Sequence, residues 1–271
     1  MTDDDREMKE VDRRELRTTA TPQQVWEAWA KPEIIAGWFA DRAHGKPEKG
    51  STITHVFEDF GMELPFTVVE AIPAETIVFD GLGPGGRPFR QEIRVRRDGG
   101  ETVMELVHSG FDTDASFDDE FEGMDSGWIL AFGILRHYLE NHFGRDKTSW
   151  LVMQPAPFDF ARADALFRGA DELGQWLTDG ASAVGDAGQS VKLALQGDRE
   201  LDGEVLAWSG RELALSWPQI EGVLELKAFS AGPGKTMIGL RVLSWADAAP
   251  DGEAMRRWMT ERVEALARRV G

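Results

Sequence analysis

Val25-Trp-Glu-Ala-Trp-Ala-Lys-Pro-Glu-Ile-Ile-Ala-Gly-Trp-Phe39 decides the fold, because a second stretch repeats its apolar pattern. Laid on Ala163-Asp-Ala-Leu-Phe-Arg-Gly-Ala-Asp-Glu-Leu-Gly-Gln-Trp-Leu177, it puts Trp29 on Phe167, Ile35 on Leu173, Trp38 on Trp176 and Phe39 on Leu177. Two later anchors keep the same order. Thr102-Val-Met-Glu-Leu-Val-His-Ser-Gly-Phe111 lies on Thr236-Met-Ile-Gly-Leu-Arg-Val-Leu-Ser-Trp245, and Trp128 lies on Trp258. The offset shrinks from 138 to 134 to 130, so the chain reads as a duplication with a shorter second copy. The join falls near residues 144–148.

Each copy has the same coarse plan. Residues 12–19 read as a strand. Thr21 can cap a helix with Pro22 at its first position and Gln24 three residues after the cap. Pro32 starts a second short helix ending near Gly37 and Trp38, and four or five strands follow. Along residues 89–97, Gln91, Ile93 and Val95 face one way and Arg90, Glu92, Arg94 and Arg96 the other, the pattern of an antiparallel strand with one wet face. In the next strand Met104, Leu106 and His108 share a face opposite Val103, Glu105 and Val107. A helix of roughly 20 residues closes the copy, with Trp128, Phe132, Leu135 and Leu139 at helical spacing. The second copy matches this with a strand near residues 150–154, a helix holding Leu166 and Phe167, several strands, and a last helix over residues 252–269. This is an α+β plan.

Composition narrows the function. The 271 residues suit two domains. Cys is absent, which excludes disulfides, thiolate metal sites and thiol catalysis. A formal charge of −18 disfavours nucleic acid and anionic membrane surfaces as partners. The charge is concentrated in residues 3–15 and 112–125. The longest apolar run, residues 128–135, is too short to span a bilayer, so no membrane insertion is expected. No signal peptide is read at the acidic N-terminus, and a cytoplasmic location is the expectation. Ten Trp and fifteen Phe point to broad apolar surfaces in a core or around a ligand.

Several motifs fail on context. Gly81-Leu-Gly-Pro-Gly-Gly86 leads into a strand where a dinucleotide site needs a helix N-terminus. Gly234-Lys-Thr236 would need glycine where Phe229 stands to be a phosphate loop. Residues 112–123 have Phe117 and Gly123 where a calcium loop needs Gly and Glu. His137 and His142 are five apart, and His44 and His55 are scattered, so no metal set is read. The sequence calls for no cofactor.

The first copy resembles the activator of Hsp90 ATPase homologue-like family of the START/Bet v 1-like (SRPBCC) superfamily. The resemblance is carried by Ala20-Thr-Pro-Gln-Gln-Val-Trp-Glu-Ala-Trp29, Pro32-Glu, Gly37-Trp-Phe39, the hairpin Val69-Glu-Ala-Ile-Pro-Ala-Glu-Thr-Ile-Val-Phe79, the H-x-G-F ending His108, Gly110 and Phe111, and Gly127-Trp128. It covers about residues 12–143. The second copy keeps the skeleton, with Ala163-Asp164 in place of the Val-Trp pair and Ala170 in place of the proline.

The resemblance implies tandem helix-grip domains: a curved antiparallel sheet around a long C-terminal helix, with two short helices after the first strand. On this reading residues 1–10 are an acidic disordered tail, 11–145 the first domain and 146–271 the second. It also implies an apolar cavity for a lipid-, sterol- or polyketide-like molecule, held between sheet and helix by Trp29, Trp38, Phe66, Val68, Phe79, Ile93, Met104, His108, Trp128 and Phe132. For each of these, core packing is the alternative. A cyclase- or hydrolase-like enzyme is the second reading, with His108 as acid–base candidate and Glu105 or Glu63 as helper, although alternation turns Glu105 to the opposite face. A protein-interaction module without a ligand is the third. The resemblance does not carry over the co-chaperone activity in the family's name, so an Hsp90-type partner is not expected.

Overall fold

The computed structural model describes residues 10–82, 86, 88–109, 118–230 and 235–270. Residues 1–9 of the acidic tail, residues 83–85 of the glycine-rich stretch, Gly110 and Phe111 of the H-x-G-F ending, residues 112–117 and Gly234 lie outside them. The chain divides into two compact units. One is Met1–Phe117 with Tyr138–Asp146, the other Asp118–His137 with Lys147–Gly271.

In the first unit, β1 (Glu10–Thr18) is followed by α1 (Pro22–Ala30) and α2 (Pro32–Trp38). Thr21 and Gln24 form the reciprocal capping box read from the sequence, and both helices start on proline, whose missing N–H would have been unpaired there anyway. Six strands follow: β2 (Arg42–Gly45), β3 (Thr52–Phe57), β4 (Met62–Ile72), β5 (Thr76–Leu82), β6 (Pro88–Asp98) and β7 (Glu101–Ser109). That is one or two more than the four or five expected from the sequence. All pair antiparallel in the order β1-β7-β6-β5-β4-β3-β2. Period-two alternation splits the sheet as expected. Its outer face carries a lattice of exposed ion pairs, among them Arg13–Glu105 at 3.1 Å and Arg17–Asp98 at 3.1 Å, which keep that face in water. Its inner face meets α1, where the Trp29 indole N–H donates to Met104 Sδ at 3.0 Å.

The long helix α3 (Asp118–Asn141) changes unit along its length. Tyr138–Asp146 belongs to the first unit, where the Tyr138 hydroxyl sits against Gly37 of α2 and leaves no room for a Cβ there. Asp118–His137 belongs to the second unit.

The second unit contains β8 (Thr148–Pro155), α4 (Ala163–Arg168), α5 (Ala170–Trp176), β9 (Ser190–Leu195), β10 (Arg199–Trp208), β11 (Leu213–Trp217), β12 (Gly222–Ser230), β13 (Thr236–Ser244) and α6 (Gly252–Val270). Its six strands run β8-β13-β12-β11-β10-β9, and a single bridge, Thr178 to Leu195, stands where the first copy has β2. Helix α6 adds Met255, Trp258, Met259, Val263 and Leu266 to the inner core. Residues 126–137 of α3 pack on the outer face. A Cβ on Gly133 would lie 2.8 Å from the Leu206 carbonyl, Ser126 Oγ meets Ser209 Oγ at 2.5 Å, and the His137 ring lies 6.0 Å from Trp245. Both faces are therefore covered, which explains why β11 is buried at all five positions.

The two copies agree in fine detail. The Trp38 indole donates to the Ala28 carbonyl at 2.8 Å, and the Trp176 indole to the Leu166 carbonyl at 2.9 Å, ten residues back in each case. The Thr102 hydroxyl donates to the Ala20 carbonyl and the Thr236 hydroxyl to the Ala156 carbonyl. Val68 exchanges backbone bonds with Gly50 and Ser51, and Val205 does so with Gly188 and Gln189, each beside a register shift. The architecture is α+β, in tandem.

Candidate functional site

Alternation and register assemble the site on the inner face of the first sheet. Eight of the ten residues singled out from the sequence fall in this unit and are buried: Trp29, Trp38, Phe66, Val68, Phe79, Ile93, Met104 and His108. The pairings Val68 with Phe79, Phe79 with Gln91 and Gln91 with His108 carry them across four strands. Trp128 and Phe132 pack against each other at 6.0 Å on the part of α3 that belongs to the other unit.

Rings link these positions continuously. Trp29 meets Trp38 at 5.4 Å, Trp38 meets Phe39 at 5.0 Å, Phe39 meets His55 at 5.8 Å and His55 meets Phe66 at 4.8 Å. Phe66 then meets Phe89 at 5.9 Å, and Phe89 meets His108 at 6.1 Å. Most contacts are edge-to-face or tilted, the favoured geometry for aromatic pairs. Phe39, His55, Phe89 and Gln91 were not picked out as site residues. The alternation Ile53, His55, Phe57 along β3 holds the signal for His55.

Two polar spots interrupt this apolar surface. Gln91 Nε2 and His108 Nε2 lie 2.7 Å apart, both side chains buried on adjacent strands. Glu105, named as a helper for His108, is on the outer face paired with Arg13, and Glu63 is exposed. The second spot is His55, which is 7% exposed. Neither of its ring nitrogens meets a hydrogen-bond partner among the described residues.

Internal symmetry supplies a control for both spots. With Val68 equivalent to Val205, strand pairing makes Gln91 equivalent to Leu224 and His108 to Val242. The Thr102–Thr236 equivalence places His108 on Val242 independently. The pairing of β3 with β4, against that of β9 with β10, makes His55 equivalent to Leu193. The fold thus accepts apolar side chains at all three positions.

Burial pushes the His55 imidazole down to about 4, so it is neutral at pH 7. An unfolded His55 takes up its proton below about pH 6.5, whereas the folded one resists until about 4. The fold therefore loses stability through His55 as pH falls through that window, by about 1.4 kcal/mol per pH unit, and loses none above pH 6.5. His55→Leu, which installs the second copy's residue, is expected to raise stability at pH 7 by about 1–3 kcal/mol by removing unsatisfied polar groups. It should also flatten the loss between pH 6.5 and 4.5. Urea unfolding at several pH values reads both effects, and a variant that tracks wild type would refute them.

The second unit carries an open depression of about 560 Å3 around Asp198, Arg199, Trp217 and Ile220. Two of its polar groups are engaged elsewhere. The Trp217 indole donates to the Glu200 carbonyl at 2.7 Å, and the Arg199 guanidinium lies 5.5 Å from the Trp258 ring centroid. Among the described residues no helix is long and apolar enough to cross a membrane.

Residues 19–140 match the family model described as Activator of Hsp90 ATPase homolog 1-like protein. No curated protein matches the chain. Among solved structures, SSP2350 from Staphylococcus saprophyticus is 24% identical, covering 47% of this chain and 89% of its own, with a TM-score of 0.40. The Aha1 dimer from Colwellia psychrerythraea is 20% identical, covering 47% and 94%, with a TM-score of 0.41. DynU16, from the dynemicin biosynthetic locus, is 17% identical and covers 95% and 96%, with a TM-score of 0.43. Residues 19–140 thus form a domain similar to the activator of Hsp90 ATPase homolog 1-like family, and the chain is a tandem of α+β helix-grip domains.

Proposed function

We propose that the first domain binds a hydrophobic or amphipathic small molecule, lipid-, sterol- or polyketide-like, against the inner face of its sheet, and that the second is a structural companion. One observation carries this reading. Three buried polar side chains, His55, Gln91 and His108, occupy positions where the second copy has Leu193, Leu224 and Val242. Burying a polar group where the fold accepts an apolar one lowers stability, so a role other than packing accounts for keeping it. The second copy's inner face carries an apolar core that includes Trp217, Met255, Trp258 and Met259.

Native mass spectrometry of the full chain, followed by a panel of fatty acids, sterols and polycyclic aromatics, tests the proposal. Uptake of at least one class is expected. The double variant Gln91→Leu/His108→Val is expected to stay folded and to change the affinity for that class by about tenfold, the scale of one hydrogen bond. No uptake by the wild-type protein would overturn the reading.

A further inference from the structure

His55 narrows the chemistry of the ligand. It sits on β3 between two aromatic rings, Phe39 at 5.8 Å and Phe66 at 4.8 Å, on the same face as the fully buried Ile53. Phe39 follows α2, and Phe66 stands on the neighbouring strand, so two separate elements shape this place. A histidine buried for packing alone usually hydrogen-bonds through at least one nitrogen, because burying a free donor or acceptor destabilises the fold. Here neither nitrogen is bonded to any described residue, and the equivalent position in the second copy is Leu193.

We propose that His55 is the polar anchor of the ligand site, and that it selects an uncharged aromatic molecule bearing a hydroxyl group. The inference rests on the binding reading above. Its chemistry follows from the imidazole. A neutral ring offers one N–H donor and one lone-pair acceptor. It offers no positive charge, so it gives a carboxylate or phosphate no ion pair. A phenol-type hydroxyl donates and accepts, and matches either tautomer. The flanking rings favour a flat aromatic body that they can meet edge to face. The Gln91–His108 pair lies two rings further along the same surface, beyond Phe66 and Phe89, within reach of the far end of a polycyclic molecule.

The test uses three probes of nearly equal size on the full chain: 2-naphthol, 2-methylnaphthalene and 2-naphthoate. Wild type is expected to bind 2-naphthol about tenfold more tightly than 2-methylnaphthalene, the scale of one buried hydrogen bond, and 2-naphthoate no better than the methyl compound. His55→Leu should bring the hydroxyl-to-methyl ratio to about one while holding 2-methylnaphthalene within about twofold of wild type. Histidine nitrogen NMR of the unmodified protein gives a readout independent of any variant. One ring-nitrogen pair should move on adding 2-naphthol and stay still on adding 2-methylnaphthalene. Binding of both probes with no hydroxyl preference, or a preference that survives His55→Leu, overturns the anchor and leaves the binding reading standing. Binding of none of the three, together with no uptake from the wider panel, overturns both.

Discussion

Lys227→Met is expected to destabilise the second domain by about 3–5 kcal/mol, because it strips the cation from a buried charge cluster. Lys227 Nζ lies 2.8 Å from Glu225 and 3.1 Å from Glu212, and Arg241 approaches Glu225 at 3.7 Å. Glu225 is 1% exposed. These groups alternate with Leu224 and Leu226 of the inner core, so they point to the outer face. That face also carries Leu206, against which Gly133 of α3 packs. Burial alone would push the Glu225 carboxyl up, but the Lys227 and Arg241 charges outweigh it and hold the carboxyl below the usual carboxylate range. Burial would likewise lower Lys227, and Glu212 with Glu225 raises it instead.

The sign of the acid dependence follows. Glu225 contributes stability that is complete above its unfolded value of about 4.5 and is lost as pH falls through its lower folded value. Without Lys227 the Glu225 carboxyl protonates more readily. The gap between Lys227→Met and wild type should therefore narrow as pH drops from 5.5 to 4. Urea unfolding measures it, and a gap of under about 1 kcal/mol at pH 7 would show that the cluster is solvated.

This cluster marks where sequence reading stopped. The cap at Thr21, the helix starts at Pro22 and Pro32, and the alternation over residues 89–97 are local signals, and the structure keeps them. The duplication was legible because framework aromatics must recur wherever the same helix–sheet contact recurs. Trp38 and Trp176 make the same hydrogen bond at the same spacing. Glu225 and Lys227, alternating with Leu224 and Leu226, have the pattern of a wet strand face, since nothing local announces that α3, more than eighty residues earlier, packs on it. His55 failed for another reason. Its meaning lies in Phe39 and Phe66, one on a helix end and one on the next strand, and in what its nitrogens do not meet. Comparing the copies at the level of strand register brings it out: aligned on Leu193, His55 is a polar residue at a position the fold leaves apolar.

The same symmetry sets up a paired prediction, in which Trp38→Ala and Trp176→Ala have equal effects on stability but only Trp38→Ala weakens binding. Each removes a fully buried indole, and each leaves a carbonyl, of Ala28 or Leu166, without its donor. Each is expected to destabilise its own domain by about 3–5 kcal/mol. Trp38 also supports Phe39 at 5.0 Å, and Phe39 flanks His55. Trp38→Ala should therefore weaken 2-naphthol binding by about tenfold or more, because the aromatic wall beside the anchor loses its backing. Trp176 packs on Phe167 at 6.1 Å inside a core filled by its own side chains, so Trp176→Ala should leave binding within about twofold. Both variants would be titrated at a temperature where circular dichroism shows them folded. Equal losses of binding would place the ligand outside the first domain. An intact affinity in Trp38→Ala would instead mean that Phe39 holds its position without Trp38, and the wall would have to be redrawn from β3 and β4 alone.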